Sequence, residues 1–215
     1  MKRVILFCGH YGSGKTNLAI NYAFELSRQG LPVSIADLDV VNPYFRTADS
    51  KDELEAAGIR VIALPFANSS VDLPSLPAEA YALVEDKSRY AIIDVGGDDR
   101  GAYALGRYVP YILEENNYEM IYVANFCRPL TATAEDALEV LREIEGACGI
   151  PFTGIVHNSN LGAETTKETL LRAMPQAERL SALTGLPILY TAADAAVAKD
   201  LPGTKPLHLQ RRPFE

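Results

Sequence analysis

The chain is poor in cysteine, in basic charge and in long apolar runs, and each shortage removes a class of protein. Its three cysteines, Cys8, Cys127 and Cys148, stand far apart with no CxxC pair. An odd, scattered set in a chain of 215 residues excludes a disulfide framework and a clustered thiolate metal site. Reduced thiols acting as small buried hydrophobes are expected, and with them a cytoplasmic location. Lys plus Arg total 20 against 28 Asp plus Glu, a formal net charge of −8, which repels a nucleic-acid backbone. The one basic pair, Arg211-Arg212, reads as a solvated end, so nucleic acid is not an expected partner. No apolar run approaches the roughly 20 residues that cross a bilayer, and no membrane partner is expected. The opening Val4-Ile5-Leu6-Phe7-Cys8 is too short for a signal peptide and runs into a glycine loop instead of a cleavage site.

What is present is an alternation. Short runs rich in β-branched residues at 4–8, 33–36, 61–64, 91–94, 120–124, 153–157 and 188–190 are largely apolar and not alternating, as in strands covered on both faces. Helical stretches at 15–28, 76–87, 102–115, 133–147 and 165–183 lie between them. Gly30-Leu31-Pro32, Gly149-Ile150-Pro151 and Gly185-Leu186-Pro187 repeat one arrangement, a helix end followed by a strand. The expectation is an α/β fold in three layers, with a mostly parallel central sheet of about seven strands in one domain over residues 1–215. From about residue 200, Pro202, Gly203, Pro206 and Pro213 predict an irregular tail.

Gly9-His10-Tyr11-Gly12-Ser13-Gly14-Lys15-Thr16 matches GxxxxGK[ST], with an apolar strand before it and an amphipathic helix after it. Glycines let the backbone turn its N–H groups onto phosphate oxygens, and the following helix points its positive end at the same anion. Lys15 is expected on the β- and γ-phosphates, the Thr16 hydroxyl on Mg²⁺, and Asn17 beside the bound nucleotide. Two acidic segments follow strands and should reach the same sheet edge: Asp37-Leu38-Asp39 and Asp94-Val95-Gly96-Gly97. Asp94 is expected to act on the Mg²⁺ shell and Gly97 to offer its N–H to the γ-phosphate. Asp39 is expected at the metal and on the attacking water. Lys15, Asp39 and Asp94 are therefore the candidate catalytic residues. Asp98 and Asp99 read as solvent-facing or helix-capping residues.

Taken together, the three segments resemble the ParA/MinD branch of P-loop NTPases, which also includes dethiobiotin synthetase and the nucleotide-binding domains of cobyrinic-acid amidotransferases. The resemblance covers nearly the whole chain in order and spacing. It implies the P-loop NTPase fold, ATP or ADP with Mg²⁺ as ligands, and a strand-end contact from Asn158 to adenine. The absence of an NKxD segment, which would read guanine, also favours adenine. The chain departs from that branch at His10 and Tyr11, where a lysine and a glycine are usual; the family lysine reaches the partner's phosphates in an ATP-bridged dimer. His10 is shorter and carries charge only when protonated. The cysteine and CxxC of iron–sulfur relatives are missing, as is a C-terminal membrane helix.

Three functions stay open at this level. The first is a slow ATPase switch, with a homodimer formed on ATP binding and an unidentified protein partner. The second is an ATP-dependent ligase or kinase with a metabolite acceptor, for which 66–76 and 101–111 are the candidate pocket segments. The third is a module that binds nucleotide without hydrolysing it. Within 42–47, Arg46 is read as a partner-facing residue and Phe45 as a loop anchor.

Overall fold

The computed structural model describes residues 1–38, 50–63, 78–96 and 105–209. Its strands are β1 (Val4–Cys8), β2 (Val33–Asp37), β3 (Arg60–Ala63), β4 (Tyr90–Asp94), β5 (Tyr118–Ala124), β6 (Gly154–His157), β7 (Ile188–Asp194) and β8 (Thr204–Leu207). All pair in parallel in one sheet of order β3-β2-β4-β1-β5-β6-β7-β8. The helices are α1 (Lys15–Arg28), α2 (Lys51–Ala56), α3 (Ala78–Glu85), α4 (Val109–Glu115), α5 (Ala134–Cys148), α6 (Lys167–Thr184) and α7 (Ala195–Ala198).

Strand residues are apolar in succession because both faces of the sheet are covered. Val4, Leu6 and Cys8 of β1 pack with Leu83 of α3, Ile112 of α4, Leu141 of α5 and Leu180 of α6. Ile5 and Phe7, pointing the other way, pack with Leu18, Ala23 and Leu26 of α1 and Leu54 of α2. Helices on both faces of a parallel sheet make the expected three-layer α/β arrangement. The chain starts near the middle at β1, runs outward to β2 and β3, and returns through β4 before crossing β1 to β5. Reversal of direction opens a crevice at the carboxyl edge around β1, where open α/β sheets hold ligands.

Helix ends follow local chemistry. Thr133 caps α5, exchanging bonds with Asp136, and Thr166 caps α6 through Thr169. Gly149 and Gly185 end those helices in the left-handed region, as the Gly-x-Pro segments predict.

The expectation of an irregular tail from about residue 200 needs correction. Thr204–Leu207 forms β8, paired with β7 from Thr191↔Thr204 to Asp194↔Leu207. Pro206 argued against a strand, but β8 lies at the sheet edge, where an outward-facing residue needs no N–H to complete the ladder. The sheet therefore has eight strands, close to the expected count of about seven. The short helix α2 escaped sequence reading because Leu54 is its one buried side chain.

Candidate functional site

The carboxyl ends of β1, β2 and β4 lie level. Asp94 stands opposite Phe7 on one side and Asp37 on the other, and the Leu38 N–H donates to the Asp94 carbonyl at 2.7 Å. The glycine loop thus rises from β1 directly beside both acidic segments. Asp39 and Gly97 lie outside the described residues, as do Asp98, Asp99 and the segments 42–47 and 66–76.

Gly9 has φ 148°, and a Cβ there would sit 2.6 Å from the Val123 carbonyl oxygen, so the loop can leave β1 only as glycine. Gly14 has φ 90° and forms the N-cap of α1 without any capping side chain. No side chain caps α1 and no acidic residue occupies its first turn, so the positive end of the helix faces the loop, as suits an anion. Lys15 is buried, and its Nζ donates to the His10 carbonyl at 3.4 Å. The His10 ring turns onto its own loop, with Nδ1 3.0 Å from the Tyr11 carbonyl oxygen, while the Tyr11 side chain is exposed.

Next along α1, the Thr16 hydroxyl donates to Asp94 Oδ2 at 2.6 Å, both residues being buried. This joins the loop to β4 and presents one hydroxyl and one carboxylate oxygen together. Such hard oxygen donors suit Mg²⁺, which takes few protein ligands and fills its shell with water and substrate phosphate. No group of three His, Cys, Asp or Glu side chains that could hold a metal ion exists among the described residues.

The other flank of the loop is held by residues that sequence reading missed. Asn125, buried just past β5, donates from Nδ2 to the Gly12 carbonyl at 3.1 Å and to the Asn160 carbonyl at 3.3 Å. Its Oδ1 accepts from the N–H groups of Cys127 and Asn160. Arg128 Nε donates to the same Gly12 carbonyl at 3.0 Å. A polar cluster directly after an apolar strand was the available signal, but its relevance needed the knowledge that β5 lies beside β1.

Asn158 is where the resemblance put it, at the end of β6, and its Nδ2 donates to the Ser13 carbonyl at 2.7 Å. With Gly14, Asn17, Asn160, Thr165, Asp194 and Leu207 it lines a small cavity of about 60 Å³ beyond the loop. Beneath it His157 is fully buried, with Nε2 3.0 Å from Ser159 Oγ and Nδ1 3.4 Å from Thr191 Oγ1. Burial pushes its pKa down from 6.5 to about 4, so the ring is neutral near pH 7. Burial raises the thiol pKa values of Cys8 and Cys148, in keeping with inert core cysteines, whereas Cys127 is only half-buried.

The sequence matches no protein-family model and no curated protein. Its fold is that of the P-loop NTPases, shared with solved structures of signal-recognition proteins. The cell division protein FtsY of Thermotoga maritima superposes with a TM-score of 0.57 at 22% identity, covering 90% of this chain and 62% of that one. Chloroplast FtsY of Physcomitrella patens gives 0.56 at 18%, covering 89% and 58%. The signal recognition particle 54 kDa protein of Aeropyrum pernix, in complex with GDP, gives 0.53 at 19%, covering 88% and 41%. This chain therefore spans less than two thirds of the length of these structures. No helix among the described residues is long and apolar enough to cross a membrane.

Proposed function

We propose that this chain binds ATP with Mg²⁺ and hydrolyses it slowly, as a nucleotide-dependent switch of the ParA/MinD kind. The observation that carries the reading is the 2.6 Å bond from Thr16 to Asp94 beneath the turn of Gly9, Gly12 and Gly14. It unites the phosphate loop and the metal-side carboxylate, which stand 78 residues apart in the chain. In this reading, loop N–H groups and the start of α1 hold the phosphates, and Lys15 moves from the His10 carbonyl to neutralise the terminal ones. Thr16, Asp94 and Asp39 would hold Mg²⁺, which supplies charge neutralisation of the phosphates when bound. Asp39 orients the water that attacks the γ-phosphorus, and Gly97 offers its N–H to the γ-phosphate. The β–γ bridging bond breaks to leave ADP and inorganic phosphate.

Bound GDP in the Aeropyrum neighbour and in one FtsY of Elizabethkingia anophelis supports a purine nucleotide in this fold. Adenine is favoured because Leu161, 45% exposed, stands three residues after Asn158, where an NKxD segment carries its guanine-reading Asp. The Asp194 carboxylate at the cavity already accepts the Ala196 N–H at 2.8 Å as the cap of α7.

Phosphate release from Mg-ATP and Mg-GTP by wild type and Lys15→Ala tests the reading. Turnover with Mg-ATP that falls to background in the variant is expected; equal turnover in the variant refutes it. Turnover that needs an added metabolite replaces the switch by a ligase or kinase. Tight binding without release identifies a non-hydrolysing module. Size-exclusion chromatography of the same samples reports whether ATP drives the homodimer expected of this branch, despite His10 at the lysine position.

A further inference from the structure

Among the described residues, Arg128 is in no ion pair. In a chain with eight more acidic than basic groups, most buried or half-buried guanidinium groups should find a carboxylate or a set of carbonyls. Arg3 does so: it pairs with Glu115 and donates to the carbonyls of Leu83, Asp86 and Arg89. Arg128 is half-buried, yet its only hydrogen bond among the described residues is the one from Nε to the Gly12 carbonyl. A guanidinium carries five N–H donors in a rigid fork, so four remain on the two Nη atoms. The contact is close and fixed: a Cβ placed on Gly12 would lie 3.1 Å from Nε and 3.6 Å from Cζ. Neither is the charge spent on its neighbour Cys127, whose thiol pKa stays raised by burial despite Arg128 and Arg172 nearby.

The sheet order decides what this fork faces. With β1 between β4 and β5, Thr16 and Asp94 flank the loop on one side and Asn125 and Arg128 on the other. We propose that Arg128 is a second phosphate-binding cation, anchored through Nε on Gly12 and donating from its Nη groups to the phosphate chain of the bound nucleoside triphosphate. This inference rests on the nucleotide-binding reading above. Planar two-pronged donation to phosphate is what distinguishes arginine from lysine, so the residue type matters as well as the charge.

The experiment is calorimetric titration of the full chain with Mg-ATP and Mg-GTP at several salt concentrations, for wild type, Arg128→Gln and Arg128→Lys. The glutamine amide can still donate to Gly12, and Asn125 holds the same carbonyl independently at 3.1 Å, so the loop keeps its anchors. Loss of charge-assisted bonds to phosphate should weaken Arg128→Gln by roughly 10- to 100-fold and flatten its salt dependence. Arg128→Lys should recover part of the affinity and the salt dependence. Wild-type affinity and salt dependence in Arg128→Gln overturn the inference and leave the nucleotide reading standing. Arg128→Lys as weak as Arg128→Gln also overturns it, because charge is then not the agent. A wild type that binds neither nucleotide overturns both readings.

Discussion

Acid should weaken this fold through His157, and the size of the effect follows from the ring's surroundings. The imidazole is fully buried below the Asn158 loop, between Ser159 and Thr191, and burial holds its pKa at about 4 against 6.5 for the free side chain. The folded chain therefore keeps the ring neutral where the unfolded chain has already taken up a proton. Stability from this source is fully present above about pH 6.5, falls as pH drops from there to about 4, and is flat below. Between pH 7 and pH 5 the loss is about 2 kcal/mol, and the whole window is worth about 3 kcal/mol. Glu115, whose carboxyl is held below its usual range by the Arg3 hydrogen bond, titrates at lower pH and does not mimic the effect. Urea unfolding at pH 7, 6 and 5 should show that loss in wild type, while His157→Gln, with no charge to gain, should lack it. Parallel losses in the two proteins would show that His157 charges as easily folded as unfolded, and the reasoning would fail.

Two further substitutions probe the loop and its support. Gly14→Ala puts a Cβ 2.4 Å from Asn158 Nδ2 at a φ of 90°, so it strains the backbone and displaces the amide from Ser13. A loss of about 2–3 kcal/mol in unfolding free energy, with weakened nucleotide binding, is expected, and wild-type values for both would refute the geometry. Asn125→Ala strips the half-buried N–H groups of Cys127 and Asn160 of their acceptor and Gly12 of one donor. It should cost about 2–4 kcal/mol in urea unfolding and speed hydrogen exchange at Asn160; unchanged exchange there would show that Asn125 is not the support.

The parts legible in the sequence are those whose cause is local. The helix Lys15–Arg28, the strand before it and the turn at Gly9, Gly12 and Gly14 follow from apolar periodicity and from backbone angles only glycine adopts readily. Asp37 and Asp94 could be read as strand-end residues for the same reason, and the register confirms them level with each other. Asn125 and Arg128 carried no local pattern, because their partner Gly12 lies 113 and 116 residues away. Only the pairing of β5 with β1 brings them to the loop, and no period along the chain encodes which strands become neighbours. The edge strand Thr204–Leu207 was hidden likewise: Pro206 forbids a central strand, and being at the edge is a property of the sheet, not of the segment. The chemistry of the phosphate loop was thus determined residue by residue, whereas the flank that supports it, and the cation resting there, were decided by long-range strand order.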